Sequence, residues 1–514
     1  MSTQNIAIRH SVRELQEMKS EGNTEPLDNL VKAWKGIKDL PYNNKQSFFM
    51  LGGYHGEPFE GSHQADPTYW GGYCNHANVL FPTWHRIYVR KVELALQSIV
   101  PGVMLPYWDE TSEQSQNEGI PAVLTDENYI FANGEQIKNP LRSFVFPIKV
   151  EDPTTGTNNM YTKPAHYETV RYPLSGLVGT PEAAAATAIH NAKFPNYTDQ
   201  NIYLNRNIVN WLRGTDGHGS NITTEFEDCL DAPNYTAFSN TQSAGAWNKQ
   251  NAGKVIVPLE SPHNDIHLAV GGFDIPPHQG NFDDIPGANG DMGENNTAGL
   301  DPIFFFHHCN VDRMFWLWQV KNGHTDSLDI IKGFPGTTNT YNNPQGQGPA
   351  VGQSDNENLT LTTPLKPFQH KNGVFYTSND VINSETQLGI IYSKGSLADS
   401  RITKIKAMTN TKKLQVSGIN REQIRGSFLV LAYADLNGKE IFLGSHSVLS
   451  RWNVANCENC QNTLDVEAFF NLSDKLTDEE IKQAHFRAEI KGRPHGDNKQ
   501  RIAKQSNFEI KVVD

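Results

Sequence analysis

The sequence predicts a mainly α-helical core with long loops, followed by a β-rich, sandwich-like C-terminal domain. Three observations carry this. Apolar residues recur at helical spacing in early stretches, segments rich in Gly, Pro, Asn and Asp separate them, and runs of β-branched and aromatic residues dominate beyond residue 400.

From Ser11 to about Lys38, the spacing of Leu15, Met18, Leu27, Leu30 and Trp34 predicts helices broken between Gly22 and Pro26. Phe81 to Val100 opens with Pro82, which is tolerated in a first helical turn, and holds helical spacing until Pro101. Residues 117 to 162 and 271 to 299 lack periodicity and read as long loops that frame a site. Ile303 to Val320, dense in Phe and Trp, follows Asp301-Pro302, read as an N-cap and a first-turn proline. The stretch from Gly333 to Asn358 is linker material. Beyond it, ITKIKAM, KLQVSGI, SFLVLAYA, KEIFLGSHSVL and FEIKVV predict an antiparallel sheet. The expected division is 1–393 and 394–514.

The 514 residues carry 44 Lys and Arg against 57 Asp and Glu, a net charge of −13 that disfavours nucleic acid or an anionic membrane as partner. With 37% hydrophobic residues and no run of about 18 apolar ones, a membrane span is excluded as an expectation. The opening MSTQNIAIRHSVRELQEMKSEG is charged where a secretory signal would be apolar, and the five cysteines are odd in number and sparse. The expectation is a cytoplasmic protein without a disulfide framework.

The 18 histidines are informative through their clustering. YHGEPF and GYCNHANVLFPTWHRIYVRKVE place His55, His76 and His85 in one neighbourhood, with Pro82 ending the loop of His76 so that loop and helix can converge. In LESPHNDIHLAVGG, His263 and His267 stand four apart on one helical face, a spacing that lets two ring nitrogens meet one ion. In DPIFFFHHCNVDRMFWLW, His307 and His308 point about 100° apart, so only one can face the same ion. Six neutral imidazoles without a carboxylate ligand suit copper better than zinc or non-haem iron.

HANVLFPTWHRIYVRKVE (His76 to Glu93) and DPIFFFHHCNVD (Asp301 to Asp312) resemble the two copper signatures of the tyrosinase, catechol oxidase and haemocyanin family. The likeness covers about residues 40 to 320 and is greatest to fungal-type tyrosinases with a C-terminal lid domain. It implies a four-helix bundle holding two copper ions, the first on His55, His76 and His85 and the second on His263, His267 and His308, with His307 not a ligand. It implies dioxygen as co-substrate and small phenols as partners, hydroxylated to catechols and oxidised to ortho-quinones. The alternatives are a catechol or ortho-aminophenol oxidase without hydroxylation and an oxygen-binding, haemocyanin-like protein. A homo-oligomer stays open.

Residue by residue, the resemblance assigns Cys74 a thioether to His76, and Glu260 and Asn264 a water that deprotonates the incoming monophenol. Met292 to Gly299 would border the entrance. The CxxC of Cys457 and Cys460 would deliver copper. The family's pocket plug is aromatic, whereas Val448 and Leu449, with Trp452 beyond, stand near that place here. Asp312 is read as a partner of Arg9 or Arg13, or as a helix-surface carboxylate. Phe81, Trp84, Phe304, Phe305 and Trp316 are read as core around the site.

Overall fold

A computed structural model describes residues 6–55, 73–150, 162–214, 221–273, 285, 287–338, 357–398, 411–424, 426–451, 464–492 and 508–513. Among the described residues the α-helices are α1 (Val12–Ser20), α2 (Glu25–Asp39), α3 (Phe48–Gly53), α4 (Phe81–Ile99), α5 (Glu113–Glu118), α6 (Pro181–Asn191), α7 (Tyr197–Arg213), α8 (Ile222–Cys229), α9 (Tyr235–Ser239), α10 (Thr241–Gln250), α11 (Glu260–Gly271), α12 (Ile303–Asn322) and α13 (Asp478–Gln483). Their ends follow from local chemistry. Ser11 and Glu14 form a capping box on α1, prolines open α2 and α4, and α12 stops at Gly323 in the left-handed region. The expected Asp301 cap is displaced by one position. Pro302 holds the cap site, and Asp301 accepts the N–H of Ile303 through its carboxylate while paired with Arg171.

Helix α4 packs against α2 and α12, and α12 against α11, giving the four-helix centre. Trp34, Phe48, Phe305 and Phe306 interlock there, with Trp34 and Phe306 stacked at 5.3 Å. Short strands β1 (Ala7–Arg9), β2 (Asn128–Ile130), β3 (Gln136–Lys138), β4 (Pro364–Gln369), β5 (Phe375–Thr377) and β6 (Ile390–Tyr392) trim this core. The β2–β3 hairpin and two 3₁₀ turns, at Asp291–Gly293 and Ala298–Leu300, lie inside stretches that lack sequence periodicity. Parallel pairing of β1 with β6 ties residues 7–9 to residues 390–392.

The remaining strands are β7 (Lys413–Asn420), β8 (Phe428–Leu436), β9 (Lys439–Val448), β10 (Asp465–Asn471), β11 (His485–Gly492) and β12 (Glu509–Val513). They form two three-stranded antiparallel sheets, ordered β10-β7-β12 and β11-β8-β9. Strand β8 shows why SFLVLAYA is an unbroken apolar run. Phe428, Val430 and Ala432 enter the sandwich core, while Leu429, Leu431 and Tyr433 join the core of the helical part, so both faces are buried. The predicted ITKIKAM segment lies outside the described residues.

Candidate metal centre

Four separate stretches bring the histidines together. His55 follows α3, where Gly299 passes so closely that a Cβ on it would lie 2.6 Å from the Gly52 carbonyl and 3.0 Å from the His55 Cβ. His76 lies in the loop before α4 and His85 on the first turns of α4. His263 and His267 share a face of α11, and His307 and His308 sit on α12.

Two groups result. One ring nitrogen from each of His55, His76 and His85 lies within 4.8 Å of the others, and the same holds for His263, His267, His307 and His308. The Nε2 of His308 is 3.2 Å from that of His263 and 3.3 Å from that of His267. The groups adjoin, since the rings of His85 and His308 stack at 4.6 Å.

The opposite nitrogens explain the orientation. Nδ1 of His85 donates to the Phe81 carbonyl and Nδ1 of His267 to the Met292 carbonyl, each at 2.8 Å, and a carbonyl can only accept. Nδ1 of His263 faces Asn264 Oδ1 at 3.0 Å. The proton is thereby held on Nδ1 and the Nε2 lone pair is left for an ion. Nε2 of His55, His76 and His85 is buried without a hydrogen-bond partner. Burial drives the imidazoles down, His85 to about 3 and the other five well below the ordinary histidine value, which favours their neutral form. A metal-sized convergence of orphaned, neutral nitrogens fits a soft-to-borderline ion with imidazole preference.

His307 differs from its neighbour. Its Nδ1 meets Glu110 Oε1 at 2.6 Å, and Glu110 Oε2 accepts from Asn310 at 3.0 Å. Glu110 is itself buried, and burial pushes its carboxyl well up. Sequence reasoning missed Glu110, which follows Trp108-Asp109 in a stretch with no periodicity to signal it.

A cavity of about 570 Å³ opens onto this centre between the helical part and the sandwich, with Cys74, His76, Glu260, Asn264, Val448 and Leu449 in its walls. Glu260 is buried. Its Oε1 accepts the Ala77 N–H at 2.7 Å, and its Oε2 accepts the Thr241 N–H at 2.9 Å and hydroxyl at 3.1 Å. Burial raises its pKa against these donors and the Arg421 guanidinium. Asn264 donates weakly, at 3.4 Å, to the Ser447 carbonyl on β9. Asn295, in the expected entrance segment, donates to Cys74 Sγ at 3.8 Å. Trp452, Cys457 and Cys460 lie outside the described residues.

Of the expected alternatives for Asp312, the pair with Arg9 is the one that forms, joined by Arg86, whereas Arg13 turns away to Glu118. Arg86 stands on α4 facing α12, a proximity that only helix packing creates. Trp316 is half-exposed beside Tyr392 and Ser393, not core around the site, because eight residues beyond His308 carry it about 80° around the helix. Phe81, Trp84, Phe304 and Phe305 are buried as expected.

A family model for the common central domain of tyrosinase matches residues 45–321. Tyrosinase HcTyr2 of Hahella sp. is 53% identical over 517 residues, spanning 95% of this chain and 92% of that protein. The chain belongs to the tyrosinase family. That family is one of dinuclear copper oxidoreductases, and the two histidine groups are where this tyrosinase-family chain could hold metal. A tyrosinase of Aspergillus oryzae is 40% identical over 515 residues, covering 94% of this chain and 92% of that one. A solved tyrosinase structure from Burkholderia thailandensis, at low pH, is 50% identical with a TM-score of 0.85, covering 99% of this chain and 100% of its own. The likeness thus extends through the C-terminal sandwich.

Proposed function

We propose that this chain hydroxylates monophenols to catechols and oxidises catechols to ortho-quinones, with one copper ion on His55, His76 and His85 and a second on His263, His267 and His308. The observation that carries the reading is the convergence of ring nitrogens in two adjoining histidine groups beside a cavity, with Nδ1 of His85 and His267 held by backbone carbonyls so that Nε2 faces inward. Bound copper would supply the redox chemistry with dioxygen.

The chain's own residues do the rest. Glu260 keeps about one of roughly four carboxylate lone-pair directions after three protein donors, enough for one water shared with Asn264. That water would take the phenol proton, whose ordinary pKa is about 10. A Cys74–His76 thioether would fix the one histidine of the first group that is not fully buried. Val448 and Leu449 would close the cavity as aliphatic plugs, and Cys457 and Cys460 would pass copper inward. Small phenols in a cytoplasmic setting complete the proposal.

A catechol oxidase without hydroxylation is the second reading, favoured by how many donors already hold Glu260. The test is copper per chain together with oxygen uptake on p-cresol and on 4-methylcatechol. Two coppers and turnover of both substrates are expected. Inert p-cresol with rapid catechol turnover would select the second reading, and a folded chain that takes up no copper would overturn both.

A further inference from the structure

Helix α10 lines the cavity with Thr241, Gln242, Gly245, Ala246, Lys249 and Gln250. These positions recur at helical spacing, so they form one stripe of the helix. Its character changes along the axis. Thr241, at the inner end, is bonded to Glu260; Gly245 and Ala246, midway, are small; Lys249, at the outer end, is a cation. Gly245 has no side chain to project into the cavity, and a Cβ there would meet only Phe469 of β10, at 3.8 Å.

We infer that Lys249 is a specificity-determining residue that binds the carboxylate of a phenolic acid substrate, and that Glu467 of the sandwich occupies it in its place in the arrangement described here. The inference rests on the phenol-oxidising reading above.

Lys249 Nζ lies 3.2 Å from Glu467 Oε1, and both side chains keep partial exposure, 57% and 30%. An exposed pair of this kind is weak, and one carboxylate can replace another on it. Lengths agree. Thr241 and Lys249 are eight residues apart, about 12 Å along the axis, and a lysine side chain leaning toward the helix N-terminus recovers about half of that. A phenol with a propionate tail spans about 8 Å from hydroxyl to carboxylate by ordinary bond lengths.

Charge sets the direction. Among the described residues, Lys249 is the one cation that the helical part gives to this wall, whereas Arg421 and Arg451 come from the sandwich. Arg421 is engaged with the Leu449 carbonyl and Ser450, and Arg451 with Asn296. Glu260 at the floor and Asp465 and Glu467 in the sandwich wall are the acidic residues of this cavity, and an acidic tail reaches Lys249 by displacing Glu467. An acidic substrate therefore enters hydroxyl first, with its tail toward Lys249.

The test compares kcat/KM of the copper-loaded full chain for 3-(4-hydroxyphenyl)propionate and for tyramine, which share a ring and differ in tail charge, with p-cresol as a tail-free reference. The acid-to-amine ratio should fall about 2- to 5-fold in Lys249→Gln, further in Lys249→Glu, and recover in Lys249→Arg, chiefly through KM. Glu467→Gln should lower KM for the acid. A ratio indifferent to all three Lys249 variants, in an enzyme that oxidises p-cresol, would overturn this inference alone. A wild-type chain inert toward p-cresol and both tailed phenols would overturn the phenol-oxidising reading and this inference with it.

Discussion

Glu260 and Ala77 are joined by a 2.7 Å hydrogen bond in which the backbone N–H next to His76 donates to a buried carboxylate. Ala77 is held in the left-handed region, at φ 54°, which a residue with a side chain adopts only under external constraint. Because the other oxygen of Glu260 binds Thr241 at the start of α10, this single carboxylate fixes the loop of the first histidine group, α10 and α11 to one another.

Replacing that carboxylate tests both of its jobs. Glu260→Gln keeps the shape but puts an amide donor against one of the two N–H groups. Hydroxylation of p-cresol should fall by about 10²-fold or more, the usual contribution of a positioned base, while oxidation of 4-methylcatechol falls less. Copper content, measured alongside, separates a lost base from a displaced His76 loop.

The pH profile carries the same sign. Burial raises Glu260 above the ordinary carboxyl value of 4.5, and a base acts only when deprotonated. On acidification, hydroxylation should therefore fail at a higher pH than an ordinary carboxylate would allow. The ratio of hydroxylation to catechol oxidation should drop as pH falls, and this acid limb should vanish in Glu260→Gln. A ratio flat down to pH 4 would contradict the assignment.

Asp312 holds Arg9 at 3.0 Å and also pairs with Arg86 and the Tyr392 hydroxyl, all within the buried seam between α4, α12 and the β1–β6 pair. Asp312→Ala leaves two buried guanidiniums short of a countercharge. A loss of about 3–5 kcal/mol is expected, read as a lower denaturation midpoint. A surface carboxylate would cost under about 1 kcal/mol.

Leu449 borders the cavity and packs with the helical core. Leu449→Ala should widen the passage and lower KM for bulky phenols several-fold in the full chain, at a stability cost toward the low end of the roughly 2–5 kcal/mol typical of such truncations. Steady-state kinetics on p-cresol and a tert-butyl-substituted catechol would show it, the bulkier substrate gaining more.

The sequence by itself determined what neighbouring residues dictate. Helical spacing and the opening prolines located α4, and the i, i+4 pair put His263 and His267 on one face. The run of apolar residues in SFLVLAYA marked a strand of an antiparallel sheet. These are local properties, encoded within a few turns or a few residues of alternation.

The tertiary structure alone decided which distant groups meet. Glu110 is 197 residues from His307, Arg86 is 226 from Asp312, and Glu467 is 218 from Lys249. None of these pairs leaves a periodic trace in the sequence, because each forms only when packing excludes water from both partners or when a second domain docks. His307 shows this limit. Adjacent residues on a helix point apart by geometry, and the family resemblance names His308 as the ligand, but the partner of His307, Glu110, comes from the fold alone, since a buried polar atom must find its partner wherever the fold provides one.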